Sequence, residues 1–275
     1  MSDRLSTLAL CWLVERRDGV TLALCDHDRD LVVAGVTYRA APGMTPSAIV
    51  RAEGLDADTM DARGALHAAA ISARDLDAGR WDGARVAMSA VDWSDADAVP
   101  IALGEGTIGE VEVRDGAFSA ELRGVAARLE RAVTEATSPE CRAELGNRRC
   151  RVAMAGRRRF ARVVASEELA EGAGGEAMLL LDAAELSAGA YAEGRMRWLG
   201  GANGGLESAV LDSDGARVTL RAAPPFAVEA GVLIEVIEGC DKRIATCAGR
   251  FNNAVNFRGE PYLPGIDLLT RYPGA

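Results

Sequence analysis

The sequence predicts a mainly β protein with a few short helices, on three observations. Apolar segments with the two-residue alternation of strands recur along the chain, three of their connections contain Asp-Gly, and helical periodicity is scarce. Asp-Gly supplies the positive-φ conformations that a tight hairpin requires. The 275 residues are enough for one large or two modest domains with a sizeable core.

Four hairpins are predicted along the chain. The paired segments are 8–14 with 20–25, 30–33 with 36–39, 108–113 with 117–122, and 208–211 with 216–220. The best helix candidate is 125–136, because Leu122, Val125, Leu129 and Val133 recur at helical spacing.

Residues 73–83 and 183–194 resemble each other and predict a repeated structural joint. Each contains a helical turn, a glycine that ends it, an aromatic residue (Trp81 or Tyr191) and a glycine before the next strand. This internal repeat indicates two β-rich modules, 1–165 and 166–275, divided at an acidic, glycine-rich stretch. The first module ends in a basic segment with two cysteines. The second holds another cysteine pair and a terminal loop rich in Asn, Gly and Pro.

The charge is acidic overall but divided along the chain. The net charge is −10, and residues 1–137, 138–162 and 163–275 contribute −9, +6 and −7. The basic segment holds Arg142, Arg148, Arg149, Arg151, Arg157, Arg158, Arg159 and Arg162. A solvated charged loop is one interpretation of it. The acidic total argues against a nucleic-acid-binding protein, whose basic footprint normally dominates.

Targeting signals are not evident in the sequence. It has neither a run of about 18 apolar residues nor a basic start followed by an apolar stretch and a cleavage site. We therefore expect no membrane-spanning segment, and folding in a cytoplasm, where thiols stay reduced.

The six cysteines fall into two groups. Cys11 and Cys25 lie inside predicted strands among apolar neighbours, which favours buried structural thiols. The other four form two local pairs, Cys141-x8-Cys150 and Cys240-x6-Cys247, about ninety residues apart. This spacing is weaker evidence than the tight spacing of zinc knuckles or ferredoxins.

The surroundings of the two pairs favour a metal site. Arginines crowd the first pair, Lys242, Arg243 and Arg250 accompany the second, and glycines interrupt both loops. Cations lower thiol pKa values and offset the charge of a four-thiolate centre, while glycines let backbone N–H groups approach the sulfurs. A four-cysteine metal or cluster site is the preferred interpretation, ahead of reduced structural thiols and of disulfides.

Other polar groups give little indication of catalysis. The segment Asp26–Asp30 contains His27 but lies between two hairpins, where Asp residues commonly bind backbone N–H groups, so we interpret it as a turn. His67 has apolar neighbours and is interpreted as a packed side chain. Neither a nucleophile elbow nor a P-loop, dinucleotide or zincin motif occurs, and we predict that the protein is not an enzyme.

Several motifs at both ends of the chain resemble those of a known family. They are Asp26–Leu31, Gly35–Tyr38, Pro42–Ser47, Gly54-Leu55, Gly239–Arg243 with Cys247, and Phe251–Gly259 followed by Pro261 and Pro264-Gly265. The chain resembles the baseplate hub proteins of gene transfer agents and siphophage-like prophages, which are in turn similar to the tail-tip protein L of phage lambda.

The resemblance implies a structural baseplate protein of the virion, assembled in the bacterial cytoplasm. It implies a homotrimeric hub that joins the tail tube, through the distal tail protein, to the central (megatron-like) fibre. A tail peptidase or tape-measure protein is a further candidate neighbour, and DNA would pass transiently through the lumen.

The resemblance also implies a [4Fe–4S] iron–sulfur cluster held by Cys141, Cys150, Cys240 and Cys247, which would bridge the two β modules. Cys11 and Cys25 lie outside that pattern. Two alternatives remain open: a cytoplasmic iron–sulfur redox protein and a zinc-stabilised β-rich binding module.

Overall fold

The computed structural model describes residues 7–41, 45–46, 59–65, 71–95, 99–114, 117–124, 134–168 and 175–263. The chain divides into two compact units, Met1–Val133 and Thr134–Ala275. Strands dominate the described residues and the two α-helices are short, so the mainly β prediction is confirmed. No described helix is long and apolar enough to span a membrane.

The first unit contains a nine-stranded sheet with the order β3-β4-β2-β1-β7-β8-β9-β6-β5. Its elements are β1 Leu8–Glu15, β2 Thr21–Cys25, β3 Leu31–Val33, β4 Val36–Ala40, β5 Thr45–Pro46, β6 Thr59–Ala65, α1 Ala73–Asp77, β7 Arg85–Asp92, β8 Ile101–Arg114 and β9 Ala117–Arg123. The three hairpins predicted in this unit are present, as the pairs β1–β2, β3–β4 and β8–β9. Gly19 has a φ of 89°, as its tight turn requires.

Strand β1 is buried on both faces because the sheet carries a core on each side. Trp12 and Val14 belong to the larger core, together with Leu24. Cys11 and Cys25 are directly opposite partners on β1 and β2 and belong to a smaller core with Val33, Tyr38 and Val91. Both thiols are fully buried, as predicted for core cysteines.

The second unit is built on a closed six-stranded barrel with the order β10-β11-β14-β13-β12-β15. Its elements are β10 Arg158–Glu168, β11 Ala177–Leu181, β12 Arg195–Trp198, β13 Glu207–Asp214, β14 Arg217–Leu220, β15 Leu233–Ile237, α2 Ile244–Gly249 and the 3-10 helix Ala254–Asn256. The predicted hairpin over 208–220 is the pair β13–β14. Leu179, Val218, Leu220 and Ile234 are fully buried in the barrel core.

The two units divide at Val133/Thr134, whereas the sequence interpretation places the boundary at residue 165. Residue 165 lies within β10, which pairs with β11 on one side and β15 on the other. The basic cysteine-containing segment therefore belongs to the same compact unit as the barrel. The predicted helix 125–136 falls largely on residues outside those that the structure describes.

The repeated joint is present with one difference. Gly79 and Gly189 both have positive φ, and Trp81 and Tyr191 are both buried. Residues 73–77 form α1, with Ser72 accepting the Asp75 N–H as its N-cap, whereas the corresponding residues near 183 form turns. In the second joint the Glu185 carboxylate instead accepts the backbone N–H groups of Gly189, Ala190 and Gly215.

Candidate metal centre

The four predicted ligand cysteines line one cavity in the second unit. Cys141, Cys150, Cys240 and Cys247 share it with apolar side chains, with two basic residues, and with four asparagine or phenylalanine residues from one segment. The apolar lining residues include Ala143, Leu145, Val152 and Phe251. Cys150 and Cys247 are buried, Cys141 and Cys240 are half-buried, and all are free thiols. All four belong to residues 134–275, so the cavity lies within the second unit, where it brings together the two cysteine segments predicted to be joined.

The second cysteine pair is positioned by the rim of the barrel and by α2. Cys240 follows β15 by three residues, and Cys247 lies on α2. A Cβ atom at Gly239 would lie 1.9 Å from the carbonyl oxygen of Ala192, so only glycine fits beside Cys240. This close approach of two backbones fixes the point at which the chain leaves the barrel toward the cavity.

The first cysteine pair lies on a compact loop held by backbone and amide contacts. The Asn147 side-chain oxygen accepts the N–H groups of Arg149 and Cys150, at 2.9 and 2.8 Å. Gly146 takes positive φ at 76° within the same loop. The Cys141 N–H donates to the Lys242 carbonyl at 2.9 Å, which joins the two cysteine loops directly.

A third segment, residues 251–258, covers the cavity, and we call it the strap. The Asn253 N–H donates to the Cys247 carbonyl at 2.9 Å. The Arg258 N–H lies 3.4 Å from the Cys141 sulfur. The Asn253 side chain donates to the Cys150 carbonyl at 2.6 Å. The strap thus contacts three of the four cysteines.

The cations near the cysteines bind carboxylates and carbonyl groups of neighbouring segments, and Lys242 and Arg243 also line the cavity, as expected of cations near the sulfurs. Arg142 forms a two-bond ion pair with Glu260, at 2.7 and 2.8 Å. Arg149 pairs with Glu135. Lys242 donates its ammonium to the Ala143 carbonyl at 2.6 Å. These contacts satisfy the cations locally while keeping positive charge close to the site.

Phe251, which lines the cavity, makes cation–π contacts with two arginines. The guanidinium groups of Arg157 and Arg250 each lie 5.0 Å from its ring centre. Both arginines also bind the buried carboxylate of Glu238, at 2.6 and 3.0 Å. Cation–π contacts of this kind join the strap to the end of β15.

Burial disfavours the thiolate form of Cys240 and Cys247. It raises the pKa of Cys240, although the Lys242 N–H and charge act in the opposite direction. Burial also raises the pKa of Cys247, and the neighbouring thiols Cys141, Cys240 and Cys150 raise it further. The mutual effect means that several thiolates in this cavity disfavour one another unless a cationic group lies among them.

The donor set consists of thiols, which suit both a single zinc ion and an iron–sulfur cluster. Thiols are the ligands preferred by zinc and by iron–sulfur clusters. A single zinc needs sulfurs about 2.3 Å from one point. Among the described residues, no three His, Cys, Asp or Glu side chains are grouped as ligands of one ion, although four thiols line the cavity. Four thiols around one cavity are suitable ligands for a soft metal group of either kind.

The remaining sequence candidates lie away from this cavity. The Asp26 carboxylate accepts the Leu10 N–H and the Asp30 carboxylate accepts the Ala40 N–H, both at 2.8 Å, as the turn interpretation predicts. His67 lies outside the described residues. Sequence reasoning did not select Asn253 or Glu238. The Asn-Asn pair after the last cysteine was the available signal for Asn253.

Comparisons with known proteins agree over both units. The family model described as baseplate hub protein, N-terminal attachment domain, matches residues 1–153, and that of phage conserved hypothetical protein BR0599 matches residues 189–267. A chain of a structure titled "Virion of native gene transfer agent (GTA) particle" is 35% identical, with 98% of this chain and 93% of that chain covered and a TM-score of 0.82. No curated protein matches.

Proposed function

The chain belongs to the baseplate hub protein family, and on that premise we propose that it is the hub of a gene transfer agent or siphophage-like tail tip. The main support for this proposal is the 35% identity to a virion chain over 98% of this sequence. The protein is located in the virion, at the tail baseplate. In this role it joins the distal tail protein to the central fibre, and its function is structural rather than catalytic.

We propose that Cys141, Cys150, Cys240 and Cys247 hold a [4Fe–4S] cluster. The support is the thiol-only donor set around one cavity and the N–H groups directed at it. When bound, the cluster supplies iron–thiolate crosslinks between loops that are about ninety residues apart in the chain. Such a crosslink removes loop-closure entropy from the unfolded state, and it stabilises the cysteine loops within the second unit.

The protein's own contacts prepare the loops for this crosslink. The Cys141–Lys242 backbone bond holds the first cysteine loop against the second, and the Arg142–Glu260 ion pair holds it to the residue that follows the strap by two positions. The close fit at Gly239 sets the direction of Cys240. Preorganised ligands lower the entropic cost of binding a metal group.

We also propose that three copies assemble around a lumen through which DNA passes. A subunit with a net charge of −10 would repel DNA phosphates from the channel wall, so that DNA slides without binding. An assembled particle with a lumen lined by arginine would contradict this part.

Assembly is tested by quantifying the protein in purified particles. We expect a few copies per particle, in a multiple of three, and loss of complete tail tips when the gene is deleted. A protein that is absent from particles, and is soluble, monomeric and able to turn over with a reductant, would instead be an electron carrier.

The cofactor is tested separately, by iron, sulfide and zinc analysis of full-length protein purified without oxygen. We expect a brown protein with broad visible absorbance that contains iron and acid-labile sulfide in equal amounts. Colourless protein containing zinc alone would identify a zinc-stabilised module and would leave the hub role intact.

A further inference from the structure

The strap contains a buried asparagine whose side-chain NH2 group faces the first cysteine loop. Asn253 is 8% exposed and lines the cavity with the four cysteines. It occupies the N-cap position of the 3-10 helix Ala254–Asn256, yet its side chain makes no capping bond there. Asparagine at an N-cap usually accepts an N–H from the helix it begins. Here the amide is directed toward another loop.

The orientation of the Asn253 amide follows from its partners. The Cys150 carbonyl, 2.6 Å away, is only an acceptor, so the NH2 group must face it. The amide oxygen then faces the Asn256 NH2 group at 2.7 Å. The NH2 nitrogen also lies 3.8 Å from the Cys150 sulfur. Its two hydrogens therefore serve the carbonyl and the sulfur of the same residue.

The backbone of Asn253 completes a connection between cysteines from distant parts of the chain. Its N–H donates to the Cys247 carbonyl at 2.9 Å. One residue thus holds Cys150, on the first cysteine loop, against Cys247, on α2. A donor beside a ligand sulfur also stabilises negative charge on that sulfur.

From these contacts we infer that Asn253 is a positioning residue for the cysteine centre, which holds Cys150 and Cys247 in place and donates toward the Cys150 sulfur. This inference rests on the proposed function, because it concerns the cluster proposed there. Groups that hydrogen-bond to metal ligands orient those ligands and tune the metal centre, and their loss typically lowers metal affinity about 10–100-fold.

The test compares Asn253→Asp with Asn252→Asp in the full-length protein purified without oxygen. Both substitutions replace an amide by a carboxylate of the same shape. Asn252 is the adjacent residue, is exposed, and has a φ of 47° that aspartate tolerates. The readouts are the midpoint potential of the centre and its rate of loss to a chelator.

We expect Asn253→Asp to lower the midpoint potential and to hasten loss to the chelator about tenfold or more. The potential falls because a donor that favours the reduced, more negative state is replaced by a negative charge. Asn252→Asp should match the wild type in both readouts. Asn253→Gln retains the NH2 donor and should recover part of the retention that Asn253→Asp loses.

Equal potentials and equal retention in the wild type and Asn253→Asp would overturn the inference while leaving the proposed cluster in place. Equal impairment by Asn253→Gln, Asn253→Leu and Asn253→Asp would also overturn it, because the side chain would then only fill space. A wild-type protein without iron would contradict both the cluster and the inference. If Asn253→Asp does not fold, the midpoint potential and the rate of loss to the chelator are compared between Asn253→Gln and Asn253→Leu. Better retention in Asn253→Gln supports the inference, and equal impairment of the two overturns it.

Discussion

Two regions of the molecule contain cysteines, and the charges near them differ in sign. Cys11 and Cys25 face each other between strands of the sheet, and their nearest charged groups are acidic. Burial is the main cause of the raised pKa of both thiols, and the negative charge of Asp26 raises it further. At the barrel rim, Lys242 lowers the pKa of Cys240 against the effect of burial.

The comparison shows why similar burial produces different chemistry. Acidic neighbours and an apolar core keep Cys11 and Cys25 as neutral thiols that pack like small apolar side chains. Several thiols around one cavity, with N–H groups and positive charge nearby, form a site for a soft metal group instead. Cysteine count alone does not separate these two environments.

The largest effect that we expect comes from removing ligands in one region only. Cys240→Ser combined with Cys247→Ser should abolish the visible absorbance of anaerobically purified protein. It should also lower its free energy of unfolding by several kcal/mol, because bound structural metal contributes folding energy. Absorbance spectra and urea unfolding measure both.

The matched control is Cys11→Ser combined with Cys25→Ser in the sheet. These changes should retain the absorbance and cost about 1–3 kcal/mol per buried hydroxyl. Two results would contradict the assignment of Cys240 and Cys247 as metal ligands and of Cys11 and Cys25 as core thiols. One is loss of the visible absorbance in the Cys11→Ser, Cys25→Ser control, and the other is its retention in the Cys240→Ser, Cys247→Ser variant.

A smaller effect is expected from the backbone geometry beside Cys240. Gly239→Ala places a Cβ atom 1.9 Å from the Ala192 carbonyl oxygen, so the destabilisation should reach at least about 3 kcal/mol, the upper end of overpacking costs. Gly249→Ala, near Cys247, is the control because its Cβ meets nothing within 4 Å. The midpoint temperature of thermal unfolding should be far lower for Gly239→Ala than for Gly249→Ala. Similar midpoint temperatures would argue against the close fit of Gly239 to the Ala192 carbonyl.

Alkaline pH should lower the free energy of unfolding through the buried thiols of the sheet. Burial raises the pKa of Cys11 from 9.0 to about 11. Because the folded state holds this proton more tightly, the associated stability is complete below pH 9 and is lost as pH rises toward 11. The loss amounts to about 2–3 kcal/mol at most. Urea unfolding of metal-free, reduced protein between pH 8 and 11 measures it, and Cys11→Ala should flatten the dependence.

The smallest effect is expected from acid, at the ion pair that fastens the first cysteine loop. The Arg142 guanidinium and the Ser138 N–H lower the pKa of Glu260 from 4.5 to about 2. The stability that this carboxylate contributes is present above pH 4.5 and is lost as pH falls toward 2. Glu260→Gln should remove this part of the acid dependence in unfolding of the metal-free protein. An unchanged acid profile would show that the pair is too exposed to contribute.

The sequence predicted the local features because neighbouring residues determine them. Asp18-Gly19 and Asp214-Gly215 define hairpins by backbone conformation, and the four hairpins are present. Gly79 and Gly189 end matching joints for the same reason. The boundary predicted near residue 165 instead falls within β10, because that strand pairs with β11 and β15 in the barrel.

At the candidate site, the sequence identified the cysteines and some of the cations near them, of which Lys242 and Arg243 line the cavity. It did not predict the carboxylate partners of Arg142 and Arg149, which are Glu260 and Glu135. Asn253 was not selected because its importance depends on Cys150, 103 positions earlier in the chain. Such partners depend on the path of the whole chain.

By itself, the sequence determined the strand content, the tight turns, the family resemblance and the separation of six cysteines into two core thiols and four candidate ligands. Each of these follows from residue type and short-range spacing. Only the tertiary structure decided that all four candidates share one cavity within the second unit, and that the strap covers it. Closure of the barrel is the physical reason, because pairing β15 with β10 brings residues near 150 and 240 together.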